Sequence, residues 1–423
     1  MPSNSLLRSA SVYAITNILN AAIPFFLLPV FTRYLTPQDY GLVSIFSILV
    51  GFITPLTGLS IHGLIIVKYY DKSCSDIKEY ISSCFLVLGI STAVISVIIY
   101  TLSKQCSRLA AFPELWLWAI LVVAATQIVI QVNLSMWQAT NKCKHYGIFQ
   151  TFQILINSGL SLLFVICFSM NWQGRVVAQV ITSVLFSLLS LLILWRDKWI
   201  KFRFKYVCVL ESLKFGTPII PHELAGWAMA ATDRMLIGNM IGLKETGVYS
   251  VGFQIAMIIS IIESSFNSAW VPWLFAKLRN IEIRDKIRIV KLTYIYVFGM
   301  IIFSITLATV TPLILHILVG KDFQGAAKFV FWLALSKGIY SMYYMTCNYL
   351  FYTQKTKLIA IATVTSGIIH IISTYYFIKL SGAIGAAQAS VLSTLTLVII
   401  TWLFSYRVYK MPWLLIHYKS TYI

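Results

Sequence analysis

The chain carries no glycine-rich phosphate loop of the P-loop type, no HExxH, no GxSxG and no cluster at metal-ligand spacing. Each of those motifs serves a defined chemistry, so nothing here points to ATP hydrolysis, zinc-dependent proteolysis or serine hydrolysis. No catalytic residue, metal or cofactor is expected. Charge is scarce as well. Charged residues make up 11% of the 423 residues, and only 14 are Asp or Glu. A soluble domain carries roughly 25%, which excludes an ordinary water-surfaced fold. The seven cysteines (Cys74, Cys84, Cys106, Cys143, Cys167, Cys208 and Cys347) contain no CxxC pair. Most fall in apolar runs or in basic loops, so no disulfide framework is implied.

What is abundant is apolar sequence. Hydrophobic residues reach 59% and the mean hydropathy is +0.81. Many runs approach the ~20 apolar residues that a helix needs to cross a bilayer. The fold class is therefore an all-α membrane protein. About twelve spanning segments are expected, near residues 10–32, 41–67, 80–101, 115–138, 147–169, 175–195, 215–240, 247–274, 292–315, 328–352, 358–378 and 384–406. The first reads as a retained helix, since only Arg8 precedes it and no small-residue cleavage site follows.

A net charge of +19 raises the question of nucleic acid. The lysines and arginines, however, sit in short gaps between apolar runs, as residues that fix helix orientation do. No nucleic-acid partner is expected. Placing both termini in the cytoplasm gathers most of the basic residues inside, including two basic linkers, Arg196–Lys214 and Lys277–Lys291.

The two halves resemble one another. Asp39-Tyr40-Gly41 at the second span parallels Glu245-Thr246-Gly247 at the eighth. Thr140-Asn141-Lys142-Cys143-Lys144 parallels Thr353-Gln354-Lys355-Thr356-Lys357, and Ala178-Gln179 parallels Ala387-Gln388. The offsets agree to within a few residues, so a duplicated six-helix unit is expected. Chance similarity of short motifs is the competing explanation. The expected division is an N-terminal six-helix bundle over 1–196, a basic cytoplasmic linker over 197–214 and a C-terminal six-helix bundle over 215–423. An even number of spans per copy gives parallel repeats.

Ionisable residues inside spans are costly, at about 2.5–3.5 kcal/mol each on insertion scales, and usually face a bundle interior or wet cavity. Span seven carries Asp233 and Arg234, about 100° apart on a helix and so unable to share one partner. Lys337 in span ten is a candidate partner for Asp233. Ala225, Gly226, Met229 and Ala230 share Asp233's face, which suits either a cavity wall or a close helix contact. Span eight carries a polar and small-residue stripe of Gly252, Ala256, Ser260, Glu263 and Asn267. It is either a cavity lining or a buried hydrogen-bonded network. On the cavity reading Glu263 is a candidate for proton or cation coupling. Span one adds Tyr13, Asn17 and Asn20, and at the repeat offset Asn17 matches Glu223. Arg33 stands at the outer edge. Pro24, Pro29, Pro218 and Pro221 are candidate kinks. His62 and His370 fit satisfied core histidines better than titrating ones.

Two long stretches carry a resemblance: SLLRSASVYAITNILNAAIPFFLLPVFTRYLTPQDYGLVSIFSIL near the start, and TDRMLIGNMIGLKETGVYSVGFQIAMIISIIESSFNSAWVPWLF from Thr232. With the closing Gly382-Ala383-Ile384-Gly385-Ala386-Ala387, they make the chain similar to polysaccharide transporters of the MOP (MATE-like) superfamily, in particular O-antigen flippases of the Wzx type. The resemblance implies two MATE-like bundles in a bacterial inner membrane. Its implied activity is flipping of an undecaprenyl-diphosphate-linked oligosaccharide from the cytoplasmic to the periplasmic leaflet. Alternating access, driven by a proton or sodium gradient, is the implied mechanism. Implied partners, beyond the bilayer, are an O-antigen polymerase and a chain-length regulator. Asp233, Arg234, Glu263 and Lys337 would then line the pathway. An exporter of small cationic compounds, a membrane-embedded glycan enzyme and an inert scaffold for glycan assembly are the other readings. The short outward loops speak against the enzyme, and mid-membrane charges against the scaffold.

Overall fold

In lipid, every backbone N–H and C=O must find its partner within the protein, so a chain of apolar runs folds into helices. A computed structural model describes residues 3–59, 61–70, 77–201, 203–217, 220–279 and 282–413, and among them there is no strand. The helices are α1 (Ser3–Tyr34), α2 (Pro37–Gly58), α3 (Ile61–Tyr70), α4 (Ile77–Ala110), α5 (Leu117–Ala139), α6 (Cys143–Leu162) and α7 (Asn171–Arg196). They continue as α8 (Tyr206–Gly216), α9 (Ile220–Met240), α10 (Leu243–Leu278), α11 (Ile283–Leu318), α12 (Ala327–Tyr352), α13 (Thr356–Ser381) and α14 (Ala383–Val408). Most of each expected segment is helical among the described residues. Nine helices among the described residues are long and apolar enough to cross a membrane.

Local chemistry sets the boundaries. Thr36 caps α2: its hydroxyl accepts from the Asp39 N–H, the Asp39 carboxylate accepts from the Thr36 N–H, and Pro37 opens the first turn. The expected span 41–67 is two helices, because Leu59 turns left-handed (φ 44°) after α2. The expected end of the third span at residue 101 coincides with a kink at Leu102 inside α4. Pro24 and Pro29 lie inside α1, which continues through them. Pro218 lies outside the described residues, as does the Pro221 side chain. The second basic linker is shorter than expected: α10 runs on to Leu278 and α11 starts at Ile283, so most of Lys277–Lys291 is helical.

The helices form two compact units, residues 1–247 and 248–423. These are groupings by packing, whereas the division at 196 and 215 rests on sequence repetition. In the first unit α5 is central and packs on α2, α3, α4, α6 and α7. In the second, α14 packs along both α12 and α13, and α12 against α11. Lipid tails are as apolar as leucine, so such packing gains little from excluding solvent and depends on close fit. Gly41 and Gly247 show this. A Cβ on Gly247 would lie 1.8 Å from the Pro37 carbonyl oxygen, and one on Gly41 2.2 Å from that of Leu243. No other residue type fits there.

Candidate functional site

Glu263 is the most enclosed of the expected charges. It lies on α10 with 1% of its surface exposed, and its Oε1 has no hydrogen-bond partner. The Lys337 ammonium on α12 acts on it electrostatically, and Glu263 in turn acts on the hydroxyls of Tyr296, Tyr340 and Tyr344. Lys337 also stands 5.6 Å from the Phe253 ring centre and 5.9 Å from that of Tyr340. This is a cation held among aromatic faces, an arrangement that stabilises charge away from water. Asp233, the partner expected for Lys337, belongs to the first unit; within the second unit Lys337 acts on Glu263.

The stripe around Glu263 divides in two. Towards the start of α10, Gly252 and Ala256 are buried, and a Cβ on Gly252 would lie 3.1 Å from the Ala326 oxygen. That portion is a packing seam rather than a cavity wall. Beyond Glu263 the stripe is polar, since Asn348 Nδ2 donates to Asn267 Oδ1 at 2.9 Å. Phe266, on the same turn, stacks on Tyr296 with ring centres 3.9 Å apart.

The first unit holds a second charged group. Asp233 is 5% exposed on α9. The face expected for it cannot be followed, because the side chains of Ala225, Gly226, Met229 and Ala230 lie outside the described residues. The Arg234 charge acts on the hydroxyl of Tyr40, which is hydrogen-bonded to Arg175. The Arg175 guanidinium lies 4.3 Å from the Phe31 ring centre and 5.7 Å from that of Tyr40. Arg175 thus stands over the Tyr40 ring, and the Arg234 charge is also felt at its hydroxyl. Arg175 went unnoticed in the sequence because it reads as an outer loop charge at the start of a span. Its spacing from Tyr40 along the chain carries no local signal. Trp227 secures the helix that carries Arg234: its Nε1 donates to the Ile48 oxygen at 2.6 Å, and its ring lies 4.7 Å from that of Phe52.

The other expected residues are less centrally placed. Asn20 Nδ2 donates to Gln150 Oε1 at 3.2 Å, a tie between α1 and α6. The side chains of Asn17, Tyr13 and His62 lie outside the described residues. Glu223 is half-buried in the first turn of α9, and Arg33 is exposed in the last turn of α1. His370 is buried, with Nδ1 3.1 Å from Ser393 Oγ. No group of three His, Cys, Asp or Glu side chains that could hold a metal occurs among the described residues.

A model of the polysaccharide biosynthesis protein family matches residues 6–278, well over half of the chain. The chain belongs to that family. It is 26% identical over 382 residues to an uncharacterized membrane protein of Haemophilus influenzae, covering 87% of this chain and 89% of that one. It is 23% identical over 385 residues to Lsg locus putative protein 1 of the same species, covering 86% and 90%. Among solved structures, it is similar to the lipid II flippase MurJ in an inward closed conformation, with a TM-score of 0.75 and 14% identity. That match covers 95% of this chain and 87% of the other. A multidrug resistance MATE family transporter of the MOP superfamily, facing inward, gives a TM-score of 0.69 at 14% identity, covering 92% and 94%. This member of the polysaccharide biosynthesis family is thus a multi-pass membrane protein whose fold is like that of the MATE transporter and MurJ.

Proposed function

We propose that the chain is a flippase that carries a polyprenyl-diphosphate-linked oligosaccharide, such as an O-antigen repeat unit, across the bacterial inner membrane. It works by alternating access without a catalytic step. The observation that carries this reading is Glu263: a carboxylate 1% exposed, with an unpartnered Oε1, beside Lys337 and three tyrosine hydroxyls. A charge held at membrane depth is costly and is typically kept where ions or protons move. Membership of a polysaccharide biosynthesis family supports a glycan-bearing substrate. Arg175 and Arg234, whose charges both act on Tyr40, are guanidinium groups, which suit a diphosphate better than lysines do.

The test is a strain lacking the chain. Lipid-linked repeat units should accumulate on the cytoplasmic leaflet and surface glycan should disappear. A normal leaflet distribution in that strain overturns the proposal. A second reading, export of small cationic compounds, is favoured by the tyrosines around Glu263, since aromatic faces and a carboxylate both attract cations. It predicts drug sensitivity, with unaltered glycan, in the same strain.

A further inference from the structure

We infer that the groove between α6 and α7 is a binding site for an anionic phospholipid. This groove, of about 540 Å³, has two chemically distinct ends. One is apolar, walled by Phe149, Phe152, Ile156, Leu185 and Leu189; of these, Phe152 is 57% exposed and Leu185 44%. The other carries Lys142, His145, Arg196 and Asp197. The volume lies within the roughly 300–1,000 Å³ of ordinary ligand sites.

The charged end is net cationic. Lys142 and Arg196 face it with one carboxylate, Asp197, whose Oδ2 lies 3.3 Å from the Lys142 ammonium. Both partners of that pair are partly exposed, so it is weak and yields readily to a stronger anion. His145 adds a ring nitrogen donor and is held against the Trp137 ring at 5.9 Å. Lys144 and Lys198 are exposed and lie two residues beyond Lys142 and Arg196 in sequence. The groove lies on a chain that spans the bilayer, so its apolar end meets acyl chains. Its basic end lies at the α5–α6 turn and the end of α7, which the distribution of lysine and arginine assigns to the cytoplasmic side. A phosphate head at the basic end with one tail along the slot matches both ends at once. Basic pockets between helices at that level recognise acidic headgroups.

A neighbouring groove is the natural comparison. It has about 1170 Å³ and is lined by Leu86, Gly89, Ile90, Leu188, Leu192 and other residues among which no side chain is charged. It can take a tail but selects no headgroup.

The test uses the purified full chain and phosphatidylglycerol, with phosphatidylcholine as the neutral lipid, read by native mass spectrometry. Wild type should retain phosphatidylglycerol in preference. Lys142→Gln with Arg196→Gln should weaken that retention on the order of tenfold. Leu189→Trp, which fills the slot, should weaken retention of both lipids. Asp197→Asn should strengthen phosphatidylglycerol retention, and this opposite sign separates lost binding from lost folding. Equal retention in wild type and the double variant overturns the inference. So does preferential displacement of phosphatidylglycerol by undecaprenyl phosphate, which would make the occupant the polyprenyl carrier instead.

Discussion

Gly41 and Gly247 meet backbone to backbone. A Cβ on Gly247 would lie 2.9 Å from the Gly41 nitrogen, and one on Gly41 3.2 Å from the Gly247 nitrogen. The two glycines are also matched positions in the repeated Asp-Tyr-Gly and Glu-Thr-Gly turns. The contact joins the starts of α2 and α10 at positions that the short sequence matches pair.

Gly247→Ala should therefore be severe for so small a change. The added methyl meets the rigid Pro37 carbonyl at 1.8 Å and cannot turn aside. Overpacking of this kind costs about 1–3 kcal/mol. The loss should appear as a lower melting temperature in detergent. Gly89→Ala, where a Cβ meets nothing within 4 Å, should be neutral by the same measurement.

Glu263 and Lys337 should prove coupled. Lys337→Met leaves a buried carboxylate without its cation, whereas the double variant with Glu263→Gln removes both charges. Residues in one such network show interaction energies of about 0.5–3 kcal/mol. The double variant should thus melt higher than Lys337→Met alone. Additive losses would show that the two side chains do not sense each other. Glu263→Gln alone, at unchanged expression, should abolish most transport. Wild-type transport in that variant would make Glu263 a packing residue.

The helices were legible because lipid leaves no alternative to them, and the positions of Asp233 and Glu263 inside apolar runs announced buried charge without any coordinates. What surrounds those charges was not legible. Tyr296 and Tyr344 lie far from Glu263 in the chain, and each looks like one more aromatic in an aromatic-rich sequence. Arg175 joins Tyr40 only through the packing of α7 on α2. Asn20 looked like part of a polar face, but its partner Gln150 is on another helix, and no helical spacing could reveal that. Periodicity shows which side of a helix is polar and says nothing about what that side meets.

The arginines around Tyr40 should separate by substitution. Arg175 stands over the Phe31 ring at 4.3 Å, a contact that depends on a flat guanidinium. Arg175→Lys should lower stability by about 0.5–2 kcal/mol, the range of a cation–π contact. Arg234→Gln should lower glycan transport several-fold with a smaller effect on melting. Equal effects of both substitutions on melting, with transport intact, would make the cluster purely structural.

The basic linker before α8 is docked rather than free, and Glu79 docks it. This carboxylate, 6% exposed at the start of α4, lies 2.5 Å from the Lys205 ammonium and 3.6 Å from that of Lys201. The Lys201 and Lys205 N–H groups donate to Ser82 and Ser83, Tyr80 meets Ser212 at 3.0 Å, and Lys68 pairs with Glu211 at 2.8 Å. Glu79→Gln removes the carboxylate that pairs with both lysines, while keeping the side chain's size and its ability to hydrogen-bond. The linker should loosen without the helices unfolding. Amide exchange over residues 203–216 should rise several-fold in Glu79→Gln, with exchange in α5 unchanged. Glu211→Gln, which removes a carboxylate more exposed than Glu79, should give a smaller rise, because exposed pairs contribute ~0–1 kcal/mol. Should the two variants behave alike, the buried position of Glu79 confers no special role, and the serine and tyrosine contacts alone hold the linker in place.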